Sequence, residues 1–180
     1  MYLQKIIFLI YSTDHIKVKD SILIIGGAGY IGSHTLKALH LKYDNLICYD
    51  NLSTGRRENV RYGKFIEGDI CDIKHLNSVF SKYRFNSVIH FAANASVSES
   101  VLNPSKYYIN NTCNTIKLLE VMKNHDTKKI IFSSSCATYG IPQNNPICET
   151  HPQKPINPYG KSKLMVETIL EDYRKAYGIQ

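Results

Sequence analysis

The sequence predicts an α/β fold, a parallel sheet covered by helices on both faces, and two observations carry that expectation. From Ser21 onward, short β-branched runs alternate with longer amphipathic stretches, which is the order that successive βαβ units leave in a chain. The short runs are apolar almost without interruption, as strands buried on both faces require. A third observation is a glycine cluster directly after the first run, where such a sheet opens a crevice at its carboxyl edge.

The elements follow in order. Ile22–Ile25 is the first predicted strand and runs into the glycines; Ser33–Leu41 then has helical character. Leu46–Tyr49 is the second strand and ends at Asp50. Lys64–Glu67 is a short third strand, followed by a helix over Asp72–Tyr83. Ser87–Ala92 is the fourth strand, apolar apart from His90. Pro104–Asn124 is a helix opened by proline, and Lys129–Ser133 is the fifth strand. The stretch 140–158, rich in Pro, Asn and Gln, reads as a long loop. Asn157–Tyr177 is the last helix, with Asn157 as N-cap, Pro158 in the first turn and Gly178 ending it.

Composition narrows the function classes. A chain of 180 residues suits one domain, and 43% apolar with 21% charged residues excludes collagen-like, coiled-coil and wholly disordered chains. The longest apolar run, near Ile6–Tyr11, is far short of the roughly 20 residues of a membrane helix, so no membrane partner is expected. The net charge of +7 comes from scattered Lys and Arg, with no dense basic run, so no nucleic-acid partner is expected either. The five cysteines, Cys48, Cys71, Cys113, Cys136 and Cys148, contain no CxxC; they read as reduced thiols in a cytoplasmic protein. The histidines show no ligand spacing, and no metal is expected. Residues 1–20 have one apolar block, a single lysine (Lys5) before it and a poor cleavage site at Tyr11–Asp14. They are expected to be a disordered extension rather than a targeting signal, leaving 21–180 as the domain.

The glycine cluster carries the first chemistry. Gly27-x-Gly29-x-x-Gly32 fits GxGxxG, and Gly26-x-x-Gly29-x-x-Gly32 fits GxxGxxG. Such glycines make a tight turn, let backbone approach a pyrophosphate, and let helix pack on strand. The following helix offers free N–H groups and its positive dipole end to phosphates. Asp50 lies 18 residues beyond Gly32 at the end of the second strand, where a carboxylate binds ribose hydroxyls. A carboxylate there repels a 2′-phosphate, which predicts NAD over NADP, although Arg56 and Arg57 nearby are groups that accept that phosphate. The fold class is thus a Rossmann-type doubly wound parallel sheet.

Tyr159 and Lys163, four apart on the last predicted helix, share one face. A free tyrosine titrates near pKa ~10 and is a poor base at neutral pH; a cation close by favours its phenolate. Ser133-Ser134-Ser135 ends the fifth strand, where a hydroxyl faces the crevice and can bond a substrate oxygen. Lys161 and Ser162 read as ordinary surface.

These residues resemble the extended short-chain dehydrogenase/reductase family, most closely its UDP-glucose 4-epimerase subfamily. The resemblance runs from about Ser21 to the last residue through GGAGYIGSH, DNLSTG, EGDI, VIHFAA, SVSES, YYINN, IIFSSSCATYG and PYGKSKLMVE. It implies NAD as cofactor and a UDP-sugar as substrate. Gly26, Gly29, Tyr30, Ile31 and Gly32 would lie along the pyrophosphate, and Asp50, Asn51, Leu52, Ser53, Thr54 and Gly55 around the adenosine ribose. Asp69 and Ile70 would flank the adenine; Phe91, Ala92, Ala93 and Asn110 would contact the cofactor. Ser135, Tyr159 and Lys163 would be the catalytic trio, the last two also touching the cofactor. The implied reaction is NAD-dependent epimerisation at C4 of a UDP-hexose through a 4-keto sugar. Related 4,6-dehydratases carry an Asp-Glu pair where Cys136 and Ala137 stand here, which argues against dehydration.

Departures from the family set further expectations. Ile25 replaces a usual Thr, and Ala95 stands where many members have a cofactor-contacting Lys. After Tyr177-Gly178-Ile179-Gln180 the family continues into a sixth strand and a UDP-sugar region, so the fold is expected to be incomplete, without strand six and the substrate domain. Ile130, Ile131 and Phe132 are then expected on an open, association-prone edge, and Leu164, Ile169, Leu170 and Tyr173 to need a partner surface. A homodimer through 104–124 and 157–177 is expected. Holding the sugar in place is worth about 7–11 kcal/mol of barrier, so the chain alone is expected to turn over little or not at all. Three readings stay open: an epimerase by lineage, a non-catalytic NAD-binding remnant of a decayed gene, and an interaction module using the open edge.

Overall fold

The computed structural model describes residues 21–180; the predicted extension 1–20 lies outside the described residues. Strands β1 (Ser21–Ile25), β2 (Leu46–Asp50), β3 (Lys64–Glu67), β4 (Phe85–His90) and β5 (Lys129–Phe132) form one parallel sheet in the order β3-β2-β1-β4-β5. Winding runs outward from β1 to β3, then returns to the other side of β1 for β4 and β5. The switch point therefore lies between the carboxyl ends of β1 and β4, where sheets of this class bind ligands.

Alternation along the strands builds two cores. Leu23 and Ile25 of β1 join Val88, Leu118 and Met122 on one face, and Ile22 and Ile24 join Cys48, Leu36 and Ile89 on the other. The first core is roofed by α2 (Ile73–Lys82), α5 (Asn114–Asn124) and α6 (Pro158–Tyr177), and the second by α1 (Tyr30–His40). Side chains buried this fully contribute about 1.5–3 kcal/mol each. The sheet's position is thus fixed from both sides before any loop is considered.

The strands and long helices fall where the sequence pattern places them, within a few residues at the ends. The caps of α6 are as predicted: Asn157 accepts from the N–H of Gly160 at 2.8 Å, and Gly178 closes the helix at φ 69°. The predicted helix over Pro104–Asn124 is a single element only in sequence. It divides into α4 (Pro104–Tyr107), a π-helical turn over Tyr108–Cys113, and α5. A short helix, α3 (Val97–Leu102), capped by Ser96, precedes it. The residues buried through the π turn, Asn111 and Thr112, are polar, so apolar periodicity carries no signal for the break.

The carboxyl end corrects a further expectation. Ile179 is buried in the first core, and Gln180 lies alongside β5: its N–H donates to Lys128 O at 2.6 Å, and the Ile130 N–H donates to Gln180 O at 2.7 Å. The outer edge of β5 is therefore covered at its start. Ile169, Leu170 and Tyr173 also have a surface to bury on, since all three pack against the first core.

The glycine turn shows what fixes α1 against β1. A Cβ on Gly32 would sit 2.3 Å from the Gly26 carbonyl oxygen and 2.7 Å from the Gly27 Cα, both backbone atoms. A Cβ on Gly29 would meet nothing nearer than 3.4 Å. Gly32→Ala is therefore expected to destabilise by at least about 2 kcal/mol, lowering Tm by about 4 °C or more, while Gly29→Ala stays within about 0.5 kcal/mol of wild type. Thermal melts of the two variants check this, and equal melting temperatures would contradict it.

Candidate functional site

The site begins at the end of β1. The chain turns at Gly26 with φ 77°, and α1 starts after Gly29 with no side chain capping it. The first-turn N–H groups of a helix have no partner within the helix. The turn before them borders a cavity between the carboxyl ends of the strands. Its walls are Gly26 and Gly29 from the turn, Asp50, Asn51, Ser53, Thr54 and Gly55 after β2, and Asp69 and Ile70 after β3. Phe91, Ala92 and Ala93 after β4 and Asn110 from the π turn complete the predicted part of the wall.

Asp50 is nearly buried and serves as the hinge of this cavity. One carboxylate oxygen accepts from the Ala28 N–H at 2.9 Å, and the other from the Leu52 N–H at 2.8 Å. The carboxylate thus ties the glycine turn to the loop after β2, and each oxygen keeps a lone pair for a ligand. Asp69 closes the far side. Burial works to raise its carboxyl, but the Cys71 N–H at 2.8 Å and the Asn51 amide at 2.7 Å outweigh that and hold it below the ordinary carboxylate range.

Tyr30, Ile31, Gly32 and Leu52 do not line the cavity. Gly32 packs under the turn. Tyr30 and Ile31 are exposed in the first turn of α1, and Leu52 packs partly into the second core. Tyr49, Gly68, Ile25 and Asn94 line it without having been singled out. Asn94 had no signal of its own, but its loop is held by one. The Asn111 Oδ1 accepts from the Asn94 N–H at 2.9 Å, and its Nδ2 donates to Asn94 O at 3.0 Å and to Ser162 Oγ at 3.1 Å. Ser162 is therefore wholly buried, against the expectation of ordinary surface, whereas Lys161 is exposed as expected. The π turn delivers both Asn110 to the cavity wall and Asn111 to this clasp, in keeping with the frequent placing of π turns at functional sites.

The tyrosine–lysine pair stands beside this cavity, at the end of β5. Tyr159 is half-buried in the first turn of α6, edge-on to Tyr107 with centroids 6.4 Å apart. Helix and strand end come close because Gly160 has no side chain: a Cβ there would lie 2.4 Å from the Ala137 carbonyl oxygen. Lys163 is buried, donates from Nζ to Ser133 O at 2.8 Å, and lies 4.7 Å over the Phe132 ring. Ser135, the next residue but one, caps a 3-10 turn by accepting from the Ala137 N–H at 3.1 Å. Tyr159, Lys163 and Ser135 are not among the residues lining the cavity.

His90, at the end of β4, was singled out only as the one polar residue of its strand. It is buried, with Nε2 3.0 Å from Thr115 Oγ1. Thr115 gives its only hydroxyl proton to Asn111 O at 2.6 Å, so Nε2 carries the hydrogen and Nδ1 is left without a partner. Burial, then the charge of Lys163, pushes this imidazole down to about 3. It is neutral at any working pH.

Comparisons with known proteins agree with this fold. A family model described as GDP-mannose 4,6 dehydratase matches residues 23–180. The chain belongs to this family. The UDP-glucose 4-epimerase of Streptococcus mutans is 50% identical over 163 residues, 89% of this chain and 49% of that protein. The UDP-glucose 4-epimerase of Brucella ovis, solved in complex with NAD, superposes with TM-score 0.86 at 51% identity, over 89% of this chain and 50% of that one. The Thermotoga maritima UDP-glucose 4-epimerase, solved with UDP-glucose, superposes with TM-score 0.83 at 39% identity, over 88% of this chain and 52% of that one. The chain spans about half the length of the curated relatives it matches. Among the described residues, no helix is long and apolar enough to cross a membrane, and no group of three His, Cys, Asp or Glu gathers as for a metal ion.

Lys163 gives the site a pH signature. Burial pushes its ammonium down to about 8, against the opposite pull of Glu167. An unfolded lysine titrates near ~10.4. Between about pH 8 and 10 the unfolded chain thus keeps a proton that the folded chain has released, and stability rises with pH through this group. Urea denaturation at pH 7 and pH 9.5 is expected to show wild type gaining stability relative to Lys163→Met as pH rises. A relative loss would contradict the burial of a charge at this position.

Proposed function

We propose that this chain holds NAD in the cavity over its glycine turn and carries the proton-transfer groups of a UDP-hexose 4-epimerase. The observation that carries this reading is the cradle itself. Gly29 lines the cavity with an open face, where a Cβ would meet nothing nearer than 3.4 Å; it starts an uncapped helix, and the Asp50 carboxylate lines the same cavity. A pyrophosphate fits the helix end, and a ribose fits the carboxylate. The relatives support the reading, since the Brucella ovis enzyme was solved with NAD.

The chain's own residues favour NAD over NADP. Asp50 would repel a 2′-phosphate. Arg57 is turned away from that role, with its guanidinium 4.5 Å over the Phe65 ring and one N–H donated to Val60 O at 3.1 Å. They also favour epimerisation over the dehydration named by the family model, because Cys136 and Ala137 supply no acid pair in the turn after β5.

When bound, NAD supplies a reversible hydride acceptor for C4 of the sugar. Tyr159 takes the proton of the 4-hydroxyl and returns it once the 4-keto sugar has presented its other face. Lys163 places a buried positive charge one helical turn away, beside the oxygen that becomes negative. Ser135 directs its hydroxyl to the sugar oxygen and shares its position. The five thiols, none in a disulfide, fit a reducing, cytoplasmic setting.

A second reading, dinucleotide binding without turnover, is favoured by one observation: the cavity wall stops short of Tyr159, Lys163 and Ser135. Calorimetry and turnover separate the two. NAD is expected to bind at least about tenfold tighter than NADP, with Asp50→Asn narrowing that gap. Conversion of UDP-galactose to UDP-glucose by this chain is expected to be slow, and to fall at least about 100-fold further in Tyr159→Phe. Conversion that survives in Tyr159→Phe refutes the assigned chemistry; no conversion in either protein selects the second reading; failure to bind NAD refutes both.

The expected homodimer has a surface to form on. Val101, Leu102, Ile109 and Met165 are exposed apolar side chains on α3, the π turn and α6. Sedimentation is expected to show a dimer that Ile109→Asp with Met165→Asp converts to monomer. A wild-type monomer at micromolar concentration would exclude it.

A further inference from the structure

Glu167 lies one turn beyond Lys163 and two beyond Tyr159 on the same face of α6. Its two carboxylate oxygens hold different pieces of chain. One accepts a short hydrogen bond from the hydroxyl of Ser134, directly before Ser135. The other accepts from Gln153 Nε2 at 2.7 Å, and that same nitrogen reaches Thr138 Oγ1 at 3.3 Å. Thr138 in turn donates to Ser135 O at 2.9 Å. Lys163 meanwhile holds the carbonyl of Ser133. Three consecutive serines at the end of β5 are therefore held from one helix, the first by Lys163, the second by Glu167, and the third through Thr138 and Gln153.

We infer that Glu167 is a positioning residue, fastening the Ser133–Ser135 strand end and the 140–157 loop to the helix that bears Tyr159 and Lys163. The inference rests on the proposed role of that trio, but it concerns a residue outside it. Glu167 makes the register between β5 and α6 depend on charge-assisted bonds, which are stronger than neutral ones. It also supplies the compensating charge for a buried ammonium. The groups interacting with Lys163 are Glu167 on its own helix, neutral His90 on β4, and the Phe132 ring and Ser133 carbonyl at the end of β5; Tyr159, four residues before it, shares its helix face. Glu167 is the anion in this set.

The test is a 13C titration of lysine Cε signals in the full chain, with Lys163 assigned by its loss in Lys163→Met. In Glu167→Gln the Lys163 midpoint is expected to fall by at least about half a pH unit, and amide exchange in 140–157 to quicken at least about tenfold. Glu167→Asp, which keeps the charge on a shorter arm, is expected to restore the midpoint but not the slow exchange. An unchanged midpoint in Glu167→Gln overturns the inference. Should that variant not fold, Gln153→Leu decides: it is expected to keep the wild-type midpoint while loop amides exchange faster, and unchanged exchange overturns the clasp. NAD titration of the wild-type sample runs alongside. Its failure would refute the cofactor reading and leave the Lys163 midpoint to judge Glu167.

Discussion

The ammonium of Lys163 leaves water with one carbonyl, one aromatic ring and one carboxylate a turn away to receive it. Removing an ion from water costs several kcal/mol even after a protein relaxes around it, and burial pushes the Lys163 ammonium down against the pull of Glu167. Such a group stays buried only if its surroundings are rigid. That requirement explains much of the carboxyl edge: Gly160 admits α6 to the backbone of Ala137, Asn111 and Ser162 clasp the π turn to the same helix, and the strand end is held residue by residue. The rigidity that seats the lysine also sets where the Tyr159 and Ser135 hydroxyls lie.

The cavity over the glycine turn is organised by the opposite charge. Asp50 spends both carboxylate oxygens on backbone N–H groups of two loops, so the shape of the cavity does not wait for a ligand. A preformed pocket avoids the ordering cost that a flexible one would meet on binding. Anion at one end and cation at the other divide the labour in the proposed function, the β1–β2 side for a cofactor and the β5 side for protons.

How much of this was legible in the sequence depends on the kind of signal. The strands and the helix ends were legible because burial and capping are local: Ile22–Ile25 is apolar before a glycine, and Asn157-Pro158 opens a helix whoever its neighbours are. The wall residues Asp50, Asn51, Ser53, Thr54 and Gly55 followed from spacing and resemblance. Ser162 was misread because a serine flanked by Lys161 and Lys163 looks solvated, and only the fold brings Asn111 against it. The π turn was invisible because its extra residue is absorbed by tertiary bonds. The edge of β5 looks bare in sequence because the two residues after Gly178 carry too little pattern to show that they pair with it. In each miss, contacts distant in sequence outweighed local preference.

The proposed dinucleotide site at the switch point between β1 and β4 is open to an amide NMR titration of the 15N-labelled chain with NAD. Shifts are expected to centre on Gly26–Gly32, Asp50–Gly55 and Asp69–Ile70 and to reach Lys163. Shifts confined to the outer side of β5 and α6, or none at millimolar NAD, would contradict it.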